Sequence, residues 1–262
     1  MKIRTVTEDF IKDLLMKGQR EDGRQPMSYR NIELKTGVIP NAEGSAQVIM
    51  GNTKMLAGVK VGVGEPMPDK PGEGNLITSA ELHPMASDQF ESGPPSPEAI
   101  ELGRVIDRGI RAADMINSKS LGIDEEKVWE VFIDIYTLNY DGNLFDAGTL
   151  AAAAALYSAR MPKYDAENEE VIREGNLGRF KIGGMVTSST FGKIAGKVIL
   201  DPDGNEEAFM DARITIANDE NYLRAMQKGL GGSFSQKELE TLIDASFQKS
   251  KDLRKLIISK VE

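Results

Sequence analysis

The order of strand-like and helical segments along the chain limits its fold more than any other sequence feature. Short alternating or β-branched runs occupy residues 31–63. An amphipathic helix is predicted over 97–117, with Ser96 as its N-cap and Ile100 on its buried side. A strand over 127–138 and an alanine-rich, buried helix over about 146–160 follow. Strand patterns then return over 178–217 and precede a long C-terminal helix, which begins with a predicted capping box of Ser235 and Glu238. Two similar halves, each a mainly antiparallel sheet with helices on one face, predict an α+β fold.

The two halves show no sign of a boundary between them. No linker or low-complexity stretch separates them, so residues 1–262 are predicted to form a single domain. The Pro- and Gly-rich segment 64–75 is predicted to be an exposed loop. An N-terminal helix is predicted over about 7–17, where one apolar stripe precedes the stop signal of Gly18. That stripe consists of Phe10, Ile11, Leu14 and Leu15.

Composition excludes several classes of protein. The chain has 41 acidic and 32 basic side chains, so any RNA binding needs a local basic patch or a basic partner. It has no cysteine, which excludes disulfides and thiolate metal sites, and its single histidine, His83, is predicted to be a loop residue without a role. No apolar run is long enough to span a membrane, and the N-terminus is amphipathic rather than an apolar signal sequence. We expect a cytoplasmic protein.

A basic stripe lies on the helix predicted over 97–117. Arg104, Arg108 and Arg111 are spaced i, i+4 and i+7, so they share one helix face. One interpretation is a solvated face on which Glu101 and Asp107 pair with these arginines. The other is a row of guanidinium groups that follows the phosphates of a polynucleotide. The spacing alone leaves both open.

The strand–helix turn within NYDGNLFDAG (139–148) is a second candidate site. Asp141 and Gly142 form a turn signal, and a glycine-rich turn before a helix can hold phosphate on backbone N–H groups. The residues that follow, 143–145, supply no side-chain cation. Asp146 is the predicted N-cap, and its charge would repel phosphate. The phosphate signal is therefore weak.

The acidic segment DPDGNEEAFMDARITI (201–216) is the third candidate. Asp201 and Asp203 are most simply turn formers, because Pro and Gly occupy the matching turn positions. Glu206 and Glu207 are predicted at the entry to the next strand, and Asp211 within it. One carboxylate without a positioned partner is a poor magnesium site. No metal site and no cofactor are predicted.

Taken together, these segments resemble the RNase PH family of phosphorolytic exoribonucleases. The detail most resembles the non-catalytic ring-subunit branch of the archaeal exosome, which implies an RNase PH-like α+β fold with two similar halves. The match covers most of the chain and consists of EDGRQPMSYRNIE (21–33), GVIPNAEGSAQVIMGNTKMLAGV (37–59), LGRVIDRGIRAAD (102–114), NYDGNLFDAGTLAAAAAL (139–156) and LDPDGNEEAFMDARITI (200–216).

The resemblance also implies a degraded active site. In catalytic members, the segment that matches 201–216 carries two aspartates six residues apart, which serve metal binding and proton transfer. Here the second matches Asp211 and the first falls on Asn205. Those members hold phosphate with a Gly-Gly-Thr-Arg-like turn, and the matching residues 141–145 lack its arginine. We therefore expect no catalytic residue, with Asp211 as a vestige.

The resemblance implies a role in RNA degradation through partners. We expect a non-catalytic subunit that pairs with a catalytic RNase PH-like subunit in a three-plus-three hexameric ring. Single-stranded RNA and RNA-binding cap subunits are its other expected partners. Arg108 and Arg111 match family positions that face RNA or the neighbouring subunit, and Arg104 lies one turn earlier. The resemblance therefore favours RNA binding by these three residues.

Two alternatives to that role remain open at this point. The chain could be an active phosphorolytic exoribonuclease that uses Asp211 with Glu206 or Glu207. It could also be an assembly scaffold that makes no contact with RNA.

Overall fold

The structure of the protein is a computed structural model that describes residues 2–175 and 177–261. Two β-sheets enclose a shared helix and carry further helices, which confirms the predicted α+β architecture. Among the helices of the described residues, none is long and apolar enough to cross a membrane.

The first sheet has five strands, in the order β1-β2-β3-β5-β4. The strand β4 runs parallel to β5, while every other pair is antiparallel. One face of β5 is buried residue by residue, as the alternation over 127–138 predicts. The strand β4 was not predicted. The bounds are β1 Ile32–Thr36, β2 Gly44–Met50, β3 Thr53–Gly64, β4 Asn75–Leu82 and β5 Val128–Asn139.

Two short antiparallel ladders follow the first sheet in the chain. They are built from β6 Arg160–Met161 with β9 Gly178–Arg179, and from β7 Lys163–Asp165 with β8 Glu170–Ile172. In sequence they lie between the two larger sheets, directly after the helix over Leu144–Ser158.

The second sheet is antiparallel, in the order β11-β10-β12-β13. Its strands are β10 Thr187–Ile194, β11 Lys197–Leu200, β12 Ala212–Asn218 and β13 Leu223–Gly229. The sequence did not predict β13. The strand expected over 209–217 begins only at Ala212, so Asp211 lies just before the strand and not within it.

The helix α3, Leu144–Ser158, lies in the centre of the molecule. It packs on β2 and β3 of the first sheet and on β10 of the second, and all its residues from Phe145 to Leu156 are buried. Small side chains permit this: a Cβ added at Gly44 would lie 2.2 Å from the Ala155 carbonyl oxygen. The predicted buried helix is therefore confirmed, although it begins two residues earlier than expected.

The helix α2, Pro97–Ala112, covers the first sheet and also contacts β13. Ser96 caps its start by accepting a hydrogen bond from the Ala99 N–H at 3.2 Å, as the sequence predicts. It ends five residues before the predicted bound because Asp114 adopts a left-handed conformation, with φ of 48°. The assignment of Ile100 to the buried side was wrong: this side chain is 45% exposed.

The terminal helices pack against the second half of the chain. The helix α1 spans Lys2–Met16, so it begins earlier than the predicted residue 7. Ile11 and Leu15 of its apolar stripe are buried against Ile194 and Ile199, but Phe10 is 51% exposed. The helix α5, Gln236–Val261, packs on β10, β12 and α3. Its predicted capping box is present, since Ser235 and Glu238 exchange hydrogen bonds.

Candidate functional site

The turn between β5 and α3 forms the floor of the candidate site. Gly142 has a φ of 80°, and a Cβ at this residue would lie 2.4 Å from the backbone carbon of Asp203. Only glycine permits this approach of the acidic segment. Asn143 caps α3, with a φ of 52°, so the prediction that Asp146 is the N-cap was wrong. The two segments singled out from the sequence therefore lie side by side.

The carboxylate of Glu207 lies against the N-terminus of α3. Its carboxylate accepts hydrogen bonds from the Asn143 N–H at 2.9 Å and from the Tyr140 hydroxyl at 2.7 Å. Burial raises the pKa of Glu207, and burial together with the Glu207 charge raises that of Tyr140. The sequence placed Glu207 at a strand entry, but it ends a short helix, α4, which spans Gly204–Glu207. A carboxylate of the chain itself thus occupies the place where a helix N-terminus would attract an external anion.

Asp201 has a larger role than forming a turn. It is fully buried, and its two carboxylate oxygens accept hydrogen bonds from Arg24, Arg30 and Asn143 at 2.7 to 3.0 Å. Burial opposes the charge of Arg30, but the hydrogen bonds and charge of Asp201 outweigh it and raise the pKa of Arg30. Asp201 therefore joins the segment 20–30, the α3 turn and the second sheet.

Asp203 and Glu206 are committed to structural contacts. Asp203 is the N-cap of α4, where it accepts from the Glu206 N–H at 3.0 Å. The buried Glu206 forms an ion pair with Arg20, whose Nε lies 2.8 Å from Oε1. Because Arg20 is itself buried, this pair leaves Glu206 no free charge to hold a metal or activate a nucleophile.

Asp211, the predicted vestige of the active site, lies apart from these contacts. It is exposed, and it accepts the Ala195 N–H at 2.8 Å in the β10–β11 turn. Asn205, the residue six positions earlier, is exposed and donates to Glu21 at 3.2 Å. Glu206 and Glu207 are bound to other groups, so no described contact joins either of them to Asp211. Within the described part of the chain, no cluster of His, Cys, Asp or Glu could hold a metal ion.

Asp146 connects α3 to the second sheet. Its buried carboxylate accepts hydrogen bonds from Tyr29, Asn143, Ser188 and Thr190, the shortest at 2.8 Å. Burial raises its pKa, although its donors oppose the shift. It faces inward and cannot meet a substrate, so sequence reasoning identified this carboxylate but placed it wrongly at the helix cap.

The arginine stripe on α2 divides into two parts. Arg104 and Arg108 are exposed and line a groove of about 390 Å³, where Arg108 donates to Gln227 of β13 at 2.9 Å. No described carboxylate lies within 4.0 Å of either guanidinium group, because Glu101 pairs instead with Arg213 at 3.0 Å. The prediction of charge pairing along the stripe therefore fails for these two residues.

Arg111 behaves differently from the other two. Its Nε lies 2.7 Å from a carboxylate oxygen of Asp107, and its guanidinium group also donates to the Leu76 carbonyl oxygen. The simple interpretation of an i,i+4 ion pair on a solvated face therefore describes this residue.

Comparison with known sequences agrees with the resemblance. Residues 28–162 match domain 1 of the 3′ exoribonuclease family, RNase PH, and residues 184–249 match its domain 2. The exosome complex component Rrp42 of Thermococcus gammatolerans is 46% identical over 260 residues, which cover 98% of this chain and 95% of that protein.

Comparison with solved structures gives the same fold. A chain of the Archaeoglobus fulgidus exosome with RNA bound to the active site has a TM-score of 0.90 and 38% identity, over 97% of this chain and 99% of that one. A chain of an archaeal exosome core has a TM-score of 0.85 and 36% identity, over 97% of each chain. The predicted RNase PH-like fold is thereby confirmed.

Proposed function

The chain belongs to the RNase PH family of 3′ exoribonucleases, and we propose that it serves as a non-catalytic, RNA-binding ring subunit of an archaeal exosome. The names of its relatives and the RNA-bound structural neighbour support the exosome role. The division of labour within the ring follows from the contacts of this chain.

The contact of Glu207 with the start of α3 carries the proposal that the chain is inactive. Phosphorolysis needs inorganic phosphate beside the bond that it attacks. The N–H group that could hold phosphate is already bound to Glu207, and a carboxylate at this distance would repel the anion. Glu206 and Asp211 are bound elsewhere, so among the described residues neither pairs with Glu207 for proton transfer or metal binding. The geometry gives no support to an active enzyme based on these residues.

RNA binding is proposed for the exposed face of α2. Arg104 and Arg108 line a groove whose acidic residue, Glu101, pairs with Arg213, so no described carboxylate lies within 4.0 Å of either guanidinium group, although the chain carries a net charge of -9. Exposed guanidinium groups without an ion-pair partner favour phosphates, which they can bind in bidentate fashion. Arg111 belongs to the same face but contributes less, because Asp107 balances its charge.

Membership of an exosome ring determines which partners we propose for the chain. We propose three copies alternating with three copies of a catalytic RNase PH-like subunit, RNA-binding cap subunits on the ring, and location in the cytoplasm. Single-stranded RNA would pass through the ring, and the partner would degrade it from the 3′ end with phosphate. Each chain is proposed to fold as one domain, because residues of both halves, such as Val48 and Val186, share one hydrophobic core.

Purification with the catalytic partner tests the proposal. The release of nucleoside diphosphates from polyadenylate in phosphate buffer is measured for each chain alone and for the complex. We expect the two chains to co-purify, the complex to be active and this chain alone to be inactive. Phosphate-dependent release by this chain alone, abolished by Asp211→Asn, would establish the alternative of an active enzyme.

A further inference from the structure

The two-residue ladder of β6 and β9 holds two arginines directly opposite each other. Arg160 is the antiparallel partner of Arg179, and both are exposed. Directly opposed residues of an antiparallel pair point to the same face, with Cβ atoms about 4.5–5.5 Å apart. The two positively charged side chains therefore extend from the same face of the ladder, side by side.

Neither arginine has a charged partner within the described residues. Arg160 donates to the Leu177 carbonyl oxygen at 3.4 Å and Arg179 to the Val261 carbonyl oxygen at 3.2 Å. No described carboxylate lies within 4.0 Å of either guanidinium group. Nearby Arg173, in contrast, forms an ion pair with Glu43 at 2.7 Å. Like charges directly opposite each other destabilise a ladder, and this one has only one other residue pair to offset the repulsion.

Further positive charges lie close in sequence. Lys163 and Lys181 are both exposed, the first three residues after Arg160 and the second two residues after Arg179. Neither lysine forms an ion pair with a described carboxylate. Four basic residues without a described ion pair therefore lie within two short stretches of sequence, in a chain whose net charge is -9.

The arginine pair is separate from the candidate site. The strand β6 begins two residues after the end of α3, whereas the candidate site lies at the start of that helix. A helix of 15 residues is about 22 Å long, so one phosphate group cannot contact both ends at once.

We propose that Arg160 and Arg179 form a second RNA contact, which binds the phosphates of a single strand away from the candidate site. A polyanion relieves the repulsion between the two guanidinium groups, and each group can donate two hydrogen bonds to a phosphate. RNA is favoured over an acidic protein segment because this inference rests on the proposed function, in which the chain belongs to an RNA-degrading ring.

Titration of a fluorescein-labelled oligoadenylate against the assembled ring at several salt concentrations tests this contact. The double variant Arg160→Gln, Arg179→Gln should lower the slope of log K against log salt by about 1.4, the value for two single-stranded phosphate contacts. That slope corresponds to a loss of affinity of about 25-fold at 0.1 M salt if the affinities converge at 1 M. The variant Arg160→Lys, Arg179→Lys keeps the charges and should keep most of the slope.

A matched control is available on the exposed face of α5. The double variant Lys251→Gln, Lys255→Gln removes the same charge from exposed positions and should leave the slope unchanged. The melting temperature of the Arg160→Gln, Arg179→Gln chain should not fall, because the substitution removes a repulsion. A clear fall in melting temperature together with weaker binding would assign these residues a structural role and overturn the proposal.

The remaining outcomes are also distinguishable. If the Gln variant binds RNA with the slope of the original ring, or only loses ring assembly, this inference is wrong. If Arg104→Glu, Arg108→Glu still lowers RNA affinity in that case, the proposed function stands without it. If the original ring does not bind the oligoadenylate at all, the proposed function fails first.

Discussion

Charged side chains at the start of α3 are bound by neighbouring groups, whereas those of Arg104 and Arg108 on the outer face of α2 have no ion-pair partner among the described residues. At the start of α3, Asp201 and Glu206 are buried against arginines, and Glu207 is bound to the helix turn. On α2, Arg104 and Arg108 are exposed and have no described carboxylate within 4.0 Å. Carboxylates beside the α3 turn are held by groups of the chain itself, whereas two cations that could hold an anion remain exposed. This difference suits a subunit that binds RNA and leaves catalysis to its partner.

Removal of Asp201 should have the largest effect on the first region. Asp201→Ala removes the fully buried carboxylate that Arg24 and Arg30 share and leaves them only weaker ion pairs, which we expect to cost about 3 kcal/mol of unfolding free energy. Urea denaturation measures this change. The control Asp252→Asn, on the exposed face of α5, should change it by less than about 0.5 kcal/mol. A similarly small change for Asp201→Ala would show that its buried hydrogen bonds to Arg24, Arg30 and Asn143 do not stabilise the fold.

Charge reversal should have the largest effect on the second region. Arg104→Glu, Arg108→Glu in the assembled ring should weaken RNA binding about tenfold or more and make it less dependent on salt. The unfolding free energy should stay nearly constant, because both side chains are exposed. Fluorescence anisotropy with oligoadenylate measures the affinity. Unchanged affinity and salt dependence would leave α2 as a face without RNA contact.

The variant Glu207→Gln tests the first region through the pH dependence of the unfolding free energy. The pKa of Glu207 in the folded chain lies above its ordinary value of 4.5, so the folded state binds the proton more tightly than the unfolded state. Its ionisation therefore lowers stability as pH rises from about 4.5 through the folded pKa. Glu207→Gln removes this loss, so its stability relative to the original chain should increase over that range. At neutral pH the two should differ by less than about 1.5 kcal/mol.

The control is Glu240→Gln, which removes an exposed carboxylate of α5 and should change the unfolding free energy by less than about 0.5 kcal/mol. Denaturation at a series of pH values measures both variants. A relative stability of Glu207→Gln that falls with rising pH would mean that the carboxylate is favoured in its charged form.

Arg111 should show the smallest effect. Arg111→Gln removes a charge that Asp107 already balances, so RNA affinity of the ring should change by less than about twofold. The same anisotropy assay compares it with Arg104→Gln and Arg108→Gln, each of which removes an unbalanced charge. A loss for Arg111→Gln as large as for the other two would show that the ion pair opens when RNA binds.

Local sequence patterns predicted most of the helices and central strands. The alternation in β5, the cap at Ser96 and the capping box at Ser235 are local signals, and each is present in the structure. The strands β4 and β13 lack such signals and depend on pairing with β5 and β12. The strand β4 was missed because its partner β5 is distant in the chain, and β13 was missed because its segment, LRAMQKG, has no β-branched or aromatic residue.

The candidate site was harder to predict than the fold. Sequence spacing drew attention to Asp211, but the carboxylate at the α3 turn belongs to Glu207, which the turn at Gly142 brings close. Arg20 and Arg30 gave no sign of pairing with Glu206 and Asp201, since about 170 to 190 residues separate the partners. Contacts of this kind arise only when the two halves pack together. The RNA-binding residues on α2 stay predictions.

The most direct measurement is the rate of nucleoside diphosphate release by the assembled ring with single changes in this chain. The account predicts that Asp211→Asn leaves the rate within about twofold of the original ring, because the chemistry takes place in the partner. It predicts that Arg104→Glu, Arg108→Glu lowers the rate at limiting RNA, since the substrate is held less tightly. Loss of activity with Asp211→Asn and an unchanged rate with the arginine variant would contradict it.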